Sequence, residues 1–404
     1  MYRRLVLCVA FVWLGLSSEA QETRYYVLNG DTLQYTYTPL VTPQDSVAKV
    51  QPRKRNFLMR VADYYARANE DRTFQKKIDF TFVGGLGYSK NTNLSFAAMA
   101  VGQYRVDRTD SVTSPSNITM FGNVSVTGVY AVGVSGRTYF SGDRHRLNYT
   151  VDFLSAPRSM WGVGYDAGRY NAESEYVEKT YRIEATYLRK VLKATYLGVL
   201  FDFQHTDGQQ FDDESYLRGQ KRKYTSTGVG LVAEYDSRDV ATAPQKGLYL
   251  SLRETFFPKG LGTVEESLWR THFTANYYQK MWKGGVLAFD LHGEFNSDGT
   301  PWVMLARMGG SFRMRGYYEG RYTDNDLVTF QVELRQKIWR RIGGVVWGGA
   351  GNVFPRLKDF DWNKTLYNYG VGLRWEMKKQ VNVRLDYGFG KHTSGFMLNI
   401  NEAF

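Results

Sequence analysis

Chemistry that needs a proton carrier has little to draw on in this chain. Its five histidines, His145, His205, His272, His292 and His392, are scattered along 404 residues. A general base must lie within hydrogen-bond reach of the group it serves. Neither the Gly-x-Ser-x-Gly turn of a serine hydrolase nor the His-Glu-x-x-His helix of a zinc protease occurs. No glycine-rich phosphate loop leads into a helix. The single cysteine, Cys8, falls in the first twenty residues, which leaves the rest without a thiol for a disulfide, a metal or a nucleophile. These residues point away from catalysis. The expectation is no enzyme, no cofactor and no metal, with His272 and His292 lining an interior.

The beginning of the chain reads as an export signal. Arg3 and Arg4 precede an apolar run from Leu5 to Leu16, and Ser18-Glu19-Ala20 fits the small-x-small cleavage rule. That run is short of the about 20 apolar residues a spanning helix needs, so residues 1–20 are expected to be a signal peptide. No other apolar run approaches that length, and the mean hydropathy of −0.43 would suit a soluble protein. The aromatic content argues otherwise. With 30 Tyr, 24 Phe, 9 Trp and 40 Gly against 9 Pro, the chain has the material of a membrane barrel, whose alternating strands cancel in any hydropathy average. In an exported chain the net charge of +12 points to a cation-lined interior and anionic lipid head groups rather than to nucleic acid.

From residue 21 to 76 no strand alternation is expected. Pro39, Pro43 and Pro52 punctuate the stretch. After Arg53-Lys54-Arg55, apolar residues at Phe57, Leu58, Val61, Tyr64, Tyr65 and Ala68 fall on one helix face, which predicts an amphipathic helix over 56–69. It would either lie on the inner leaflet or fold into a barrel mouth.

From Lys77 on, the pattern has period two. Val381, Val383, Leu385, Tyr387 and Phe389 share one face, and Asn382, Arg384, Asp386 and Gly388 the other. Val328, Phe330, Val332, Leu334 and Ile338 likewise oppose Thr329, Gln331, Glu333, Arg335 and Lys337. Soluble sheets alternate too, so length decides: many runs reach the about 9 to 11 residues of a membrane strand. The predicted strands are 77–89, 93–106, 117–130, 132–141, 146–155, 177–190, 193–205, 225–236, 246–257, 268–281, 285–296, 326–340, 343–354, 366–378, 381–389 and 394–404. The predicted fold is therefore all-β, a 16-stranded antiparallel transmembrane β-barrel over 77–404, with a short N-terminal amphipathic helix in a periplasmic segment 21–76. The longest connections, 156–176, 206–224 and 297–325, then fall at one end and the tightest at the other. In the last strand Phe396, Leu398, Ile400 and Phe404 are expected on one face, the terminal aromatic signal of outer-membrane barrels.

The connection 297–325 contains Gly309-Gly310-Ser311-Phe312-Arg313-Met314-Arg315-Gly316-Tyr317. Met314-Arg315-Gly316-Tyr317 resembles the conserved loop of the BamA/TamA superfamily of outer-membrane insertases, also called the bacterial surface antigen family. Further similar stretches are Tyr235-Asp236-Ser237-Arg238-Asp239 with Pro244-Gln245-Lys246-Gly247, Val332-Glu333-Leu334-Arg335, Gly349-Ala350-Gly351-Asn352-Val353-Phe354 and Val383-Arg384-Leu385-Asp386-Tyr387-Gly388.

The resemblance implies that the loop folds back into the lumen, where Arg315 pairs with Glu333 on the barrel wall. Gly349 stands where the family commonly has a second acid, so a single acidic partner is expected. The resemblance also implies a weak seam between first and last strands, and Gly84, Gly85 and Gly87 would loosen the first. Residues 21–76 leave no room for the periplasmic POTRA modules of the well-known insertases, so a POTRA-less subgroup is expected. The implied function is outer-membrane biogenesis in a Gram-negative cell, by inserting or translocating membrane proteins or by handling lipid. Implied partners are outer-membrane lipids including lipopolysaccharide, client outer-membrane proteins and periplasmic or lipoprotein subunits, with no nucleic acid. The alternative is a passive porin-like channel.

Overall fold

The computed structural model describes residues 25–28, 31–34, 72–89, 93–378 and 381–404. The chain divides into two units, 1–67 and 68–404. The expected signal peptide and the helix expected over 56–69 lie outside the described residues.

In the first unit, β1 (Tyr25–Leu28) and β2 (Asp31–Gln34) pair antiparallel, Tyr25 opposite Gln34 and Leu28 opposite Asp31. The sequence between them is Asn29-Gly30, the pair that two-residue hairpin turns favour. This hairpin falls in a stretch expected to hold no strand.

The second unit is one antiparallel sheet of sixteen strands. In chain order its elements are β3 (Asp79–Ser89), β4 (Asn93–Tyr104), β5 (Ser116–Ser125), β6 (Tyr130–Tyr139), β7 (His145–Met160), β8 (Ser174–Leu192), β9 (Thr195–Gln209), β10 (Lys223–Asp236), β11 (Gly247–Phe257), β12 (Leu268–Trp282) and β13 (Gly285–Asn296). There follow β14 (Ala306–Met308) and β15 (Tyr322–Asp324), a small separate pair, then β16 (Asp326–Trp339), β17 (Ile342–Phe354), β18 (Leu366–Lys378), β19 (Val381–Gly390) and β20 (Thr393–Ile400). Every strand pairs with its neighbours in sequence, except that β13 pairs with β16 across the 297–325 connection. Each of the sixteen expected strands has its counterpart, whereas β14 and β15 sit where an unstructured loop was expected. Strands β3 and β20 approach each other but form no ladder among the described residues.

Burial in this sheet is the reverse of a soluble protein. On β16, Glu333 and Gln331 are 0% exposed while Phe330 is 44% exposed; on β18, Arg374 is buried while Leu373 is 56% exposed. The same outward face carries Val132, Val199, Leu231, Leu252, Val346 and Leu398, all exposed. Leaving a side chain of this size in water forgoes about 1.5 to 3 kcal/mol each, so a wall of them is stable only against hydrocarbon. Conversely, the polar face curls onto itself: Arg253 of β11 reaches Glu184 of β8 at 2.5 Å, and Arg146 of β7 reaches Asp236 of β10 at 3.3 Å. No helix among the described residues is long and apolar enough to cross a membrane, which says nothing about strands.

At the end of the sheet with the shorter turns, β12 and β16 each carry a register shift in their last turn, between Lys280 and Trp282 and between Lys337 and Trp339. The extra residue breaks the alternation. Lys337, Ile338 and Trp339 are consequently all exposed, where period two had put Lys337 on the inner face. The 105–115 connection at the same end is built on Arg105, which donates to Thr73 Oγ1 at 2.9 Å, lies 4.2 Å over the Phe74 ring and donates to the Asp110 and Thr113 carbonyls.

Candidate functional site

The 297–325 connection does not stay outside the sheet. Trp302 anchors its start: the indole stands edge-on to Tyr176 (5.5 Å) and Phe211 (5.8 Å), and its N–H donates to the Lys221 carbonyl at 2.9 Å. Pairing of β14 with β15, and the Arg307 to Glu178 contact at 2.9 Å, then send residues 309–321 into the polar concavity. Met314, Tyr317 and Tyr322 pack there with Leu327, Val353 and Leu366 as one buried cluster.

At the tip is Arg315, fully buried. Its Nη2 donates to Glu333 Oε2 at 2.6 Å, its Nη1 to Asp386 Oδ2 at 2.8 Å, and its guanidinium lies 3.7 Å from the Trp347 ring centre. One planar fork thus bridges carboxylates from two strands, β16 and β19, while stacking on a third, which a lysine cannot do. Asn368 of β18 donates to the Arg315 carbonyl at 2.9 Å. The expectation of a single acidic partner is corrected: Gly349 is not replaced in place. The second acid comes instead from Asp386, three strands away from β16.

Around this pair lies a wider network. Arg335 donates to Glu333 Oε1 at 2.8 Å, Arg374 to Asp386 Oδ1 at 2.5 Å and to Glu402 Oε2 at 2.8 Å, and Arg384 to Asp386 Oδ2 at 2.8 Å. Four buried arginines share three buried carboxylates, and desolvating each ion costs several kcal/mol unless partners of this kind return it. Next along the loop, Arg313 grips Asp290 with two bonds, at 2.8 and 3.0 Å, and Gln331 donates to the Phe312 carbonyl. Tyr317 completes the seat. Its hydroxyl donates to the Tyr367 carbonyl at 3.0 Å and accepts from the Lys391 N–H at 2.8 Å.

The four motif residues, Met314 to Tyr317, and Glu333 are therefore brought together in one buried site. Arg335, Arg374, Arg384, Trp347 and Glu402 belong to it as well, though sequence reading assigned them no role. A signal was present for Arg335 and Arg384, which alternation, as for Asp386, places on the polar face.

The other expected residues lie elsewhere. Gly84, Gly85 and Gly87 fall in β3, and a Cβ at Gly85 would meet no atom within 4 Å. Phe396 and Leu398 are exposed on the outer face, as alternation requires. Phe404 is not with them. β20 stops at Ile400, Asn401 takes a φ of +66°, and the chain turns inward. The Phe404 ring then lies 6.5 Å from that of the buried Tyr278 and 5.2 Å from the Arg335 guanidinium, which also donates to the Phe404 carbonyl at 2.8 Å. Glu402, held by Arg374 and Asn382, supplies the pull.

Two histidines do meet: His272 and His292 face each other at 6.1 Å, with His272 Nε2 3.6 Å from Glu294. Among the described residues no group of three or more His, Cys, Asp or Glu is placed to hold a metal ion.

The sheet has relatives among known proteins. The Omp85 superfamily domain matches residues 128–404. The structure is similar to BamA from Haemophilus ducreyi lacking POTRA domains 1–3, at 13% identity and a TM-score of 0.53, over 81% of this chain and 70% of that one. It is similar to CdiB from Acinetobacter baumannii, at 12% identity and 0.53, over 81% and 60%, and to CdiB from Escherichia coli, at 15% and 0.51, over 81% and 62%. This chain thus spans about three fifths of either CdiB. No curated protein sequence matches it. At these identities the likenesses speak for the fold, and the domain match for the family. The chain belongs to the Omp85 superfamily, the outer-membrane barrels of BamA and TamA type.

Proposed function

We propose that the sixteen strands close into an outer-membrane barrel between β3 and β20, and that this junction is a lateral seam through which the protein inserts or translocates membrane proteins or moves lipid. The observation that carries the reading is the contrast at β3. It pairs with β4 along its whole length, yet forms no ladder with β20 on its other side among the described residues. In lipid, a strand edge without a partner is costly and templates another strand. Gly84 and Gly85 thin the wall next to it. The inward turn after Ile400 shortens the edge that β20 offers.

The protein acts, in this reading, without catalysis or cofactor, among outer-membrane lipids including lipopolysaccharide, with client outer-membrane proteins and periplasmic or lipoprotein subunits as partners. A passive porin-like channel is the rival. It needs an open lumen, whereas here the 309–321 tip fills part of the concavity and is tied down by buried ion pairs.

The test is a set of cysteine pairs, one along residues 79–87 and one along 393–399, oxidised in cells depleted of the native protein. Locking the seam is expected to deplete other outer-membrane proteins or to alter surface lipid, with recovery on reduction. Pairs that crosslink fully and leave both unchanged would rule lateral opening out, and a large steady conductance of the wild type in planar bilayers would favour the channel.

A further inference from the structure

At the short-turn end of the sheet, the ends of β12, β16 and β18, alternate strands separated by β13 and β17, share a composition that period-two alternation does not require. They read Lys280-Met281-Trp282-Lys283, Lys337-Ile338-Trp339-Arg340-Arg341 and Arg374-Trp375-Glu376. They are contiguous in space. The Lys337 N–H donates to the Gly284 carbonyl at 2.7 Å, Trp282 Nε1 to Gln336 Oε1 at 2.7 Å, and the Glu376 N–H to the Arg341 carbonyl at 2.7 Å. The register shifts at Lys280/Trp282 and Lys337/Trp339 turn successive side chains outward together, so Met281, Trp282, Ile338, Trp339 and Trp375 form an exposed apolar band bordered by exposed cations.

The charge is one-sided. Lys337 has Glu376 at 3.3 Å, whereas Lys280, Lys283 and Arg340 have no carboxylate partner among the described residues; Arg340 lies 5.0 Å over the Trp339 ring. Three other turns at this end carry acids: Asp107 and Asp110 before β5, Asp143 before β7 and Asp239 before β11.

We infer that this patch is a binding site for the phosphate of an anionic phospholipid in the leaflet at the short-turn end. Indole rings prefer the boundary between acyl chains and head groups, and cations a few ångströms further out meet the phosphates. An acidic protein would satisfy the cations but not a band of Trp, Ile and Met that continues directly into the outward apolar face of β12, β16 and β18. The inference rests on the membrane-spanning reading, not on the seam.

The test uses the full chain in detergent, with phosphatidylglycerol and phosphatidylethanolamine of equal acyl chains counted on the folded protein by native mass spectrometry. Each cation near a membrane surface contributes about fivefold in binding. The wild type is expected to retain phosphatidylglycerol preferentially. The Lys280→Gln/Lys283→Gln/Arg340→Gln variant should lose about a hundredfold of that preference, and Trp339→Ala should weaken retention of both lipids. Arg108→Gln/Arg144→Gln/Lys246→Gln, which removes three exposed cations from the acid-bearing turns of the same end, should behave as wild type. Heat-modifiable migration shows that each variant is folded. Equal phosphatidylglycerol retention in wild type and the first variant overturns the assignment and leaves an acidic protein partner. Tighter binding of lipid A than of phosphatidylglycerol overturns the choice of leaflet. Wild type that stays monodisperse without detergent overturns the membrane reading itself.

Discussion

Gly316 of the interior loop and Gly388 of β19 lie backbone against backbone: a Cβ on Gly316 would stand 2.7 Å from the Gly388 carbonyl carbon, and one on Gly388 2.5 Å from the Arg315 carbonyl oxygen. Gly316 also has a φ of +105°, in the region that side chains disfavour. This mutual approach is what lets the Arg315 fork reach Asp386, two residues before Gly388 on the same strand.

Gly388→Ala is therefore expected to push the loop off β19 and to destabilise the fold by about 1 to 3 kcal/mol, the usual cost of overpacking a tight contact. Gly316→Ala should cost at least as much, because strain adds to the clash. Urea unfolding in detergent, with limited proteolysis of residues 309–321 as a local reading, checks both; unchanged midpoints and protection would mean that the loop is seated by something else.

Removing the cation is expected to cost more. Arg315→Ala removes the loop's tie to both carboxylates, which keep Arg335, Arg374 and Arg384, and opens a large buried cavity beside Trp347, a loss of about 3 to 5 kcal/mol. Arg315→Lys should recover little, since a point charge cannot donate to both carboxylates and stack on Trp347 at once. Comparing Arg315→Ala, Glu333→Gln and the double variant by unfolding midpoints isolates the coupling; additivity of the two single changes would contradict the pairing.

The absent family acid makes a separate prediction. A Cβ at Gly349 would lie 2.6 Å from Asn368 Oδ1 and 2.9 Å from the Phe330 carbonyl. Gly349→Asp is thus expected to displace Asn368, which holds the Arg315 carbonyl, and to destabilise the site rather than add a third carboxylate partner. A raised unfolding midpoint for this variant would show that the site accepts the acid after all.

Much of this arrangement was legible in the sequence because the bilayer enforces it. Alternation alone separated Glu333 and Arg384 from Phe330 and Tyr387, and that separation survives as inside and outside. What was not legible depends on contacts between distant strands. Asp386 was on the right face, but nothing local says that a strand so far along the chain bends to meet Arg315. Phe404 was misplaced because alternation was extended past Ile400, where Asn401 and the Glu402 to Arg374 contact end the strand. β1 and β2 were overlooked although Asn29-Gly30 is a strong hairpin signal.

The 105–115 turn should respond to acid. The Asp110 carboxyl is held well below its usual range, first by the Gly142 N–H at 2.9 Å and then by the hydroxyl and N–H of Thr113. A carboxyl whose folded value is depressed stabilises above its ordinary value of 3.8 and loses that contribution as pH falls toward the folded value. Proteolysis or hydrogen exchange of 105–115 is expected to be flat from neutral pH down to about 4 and to rise below it, while Asp110→Ala should show the looser turn at every pH. A wild-type turn that loosens between neutral pH and 5 would contradict this assignment.

The claim on which the rest stands is that the outward face of the sheet touches acyl chains while the inward face touches water or protein. Spin labels placed singly on β8 at 181, 183, 185 and 187, and at 182, 184 and 186, in reconstituted vesicles, measure it directly. Collisions with oxygen should dominate at the odd positions and collisions with a water-soluble nickel reagent at the even ones, a period of two along the strand. Uniform access to the nickel reagent at all seven would contradict a membrane-spanning barrel wall.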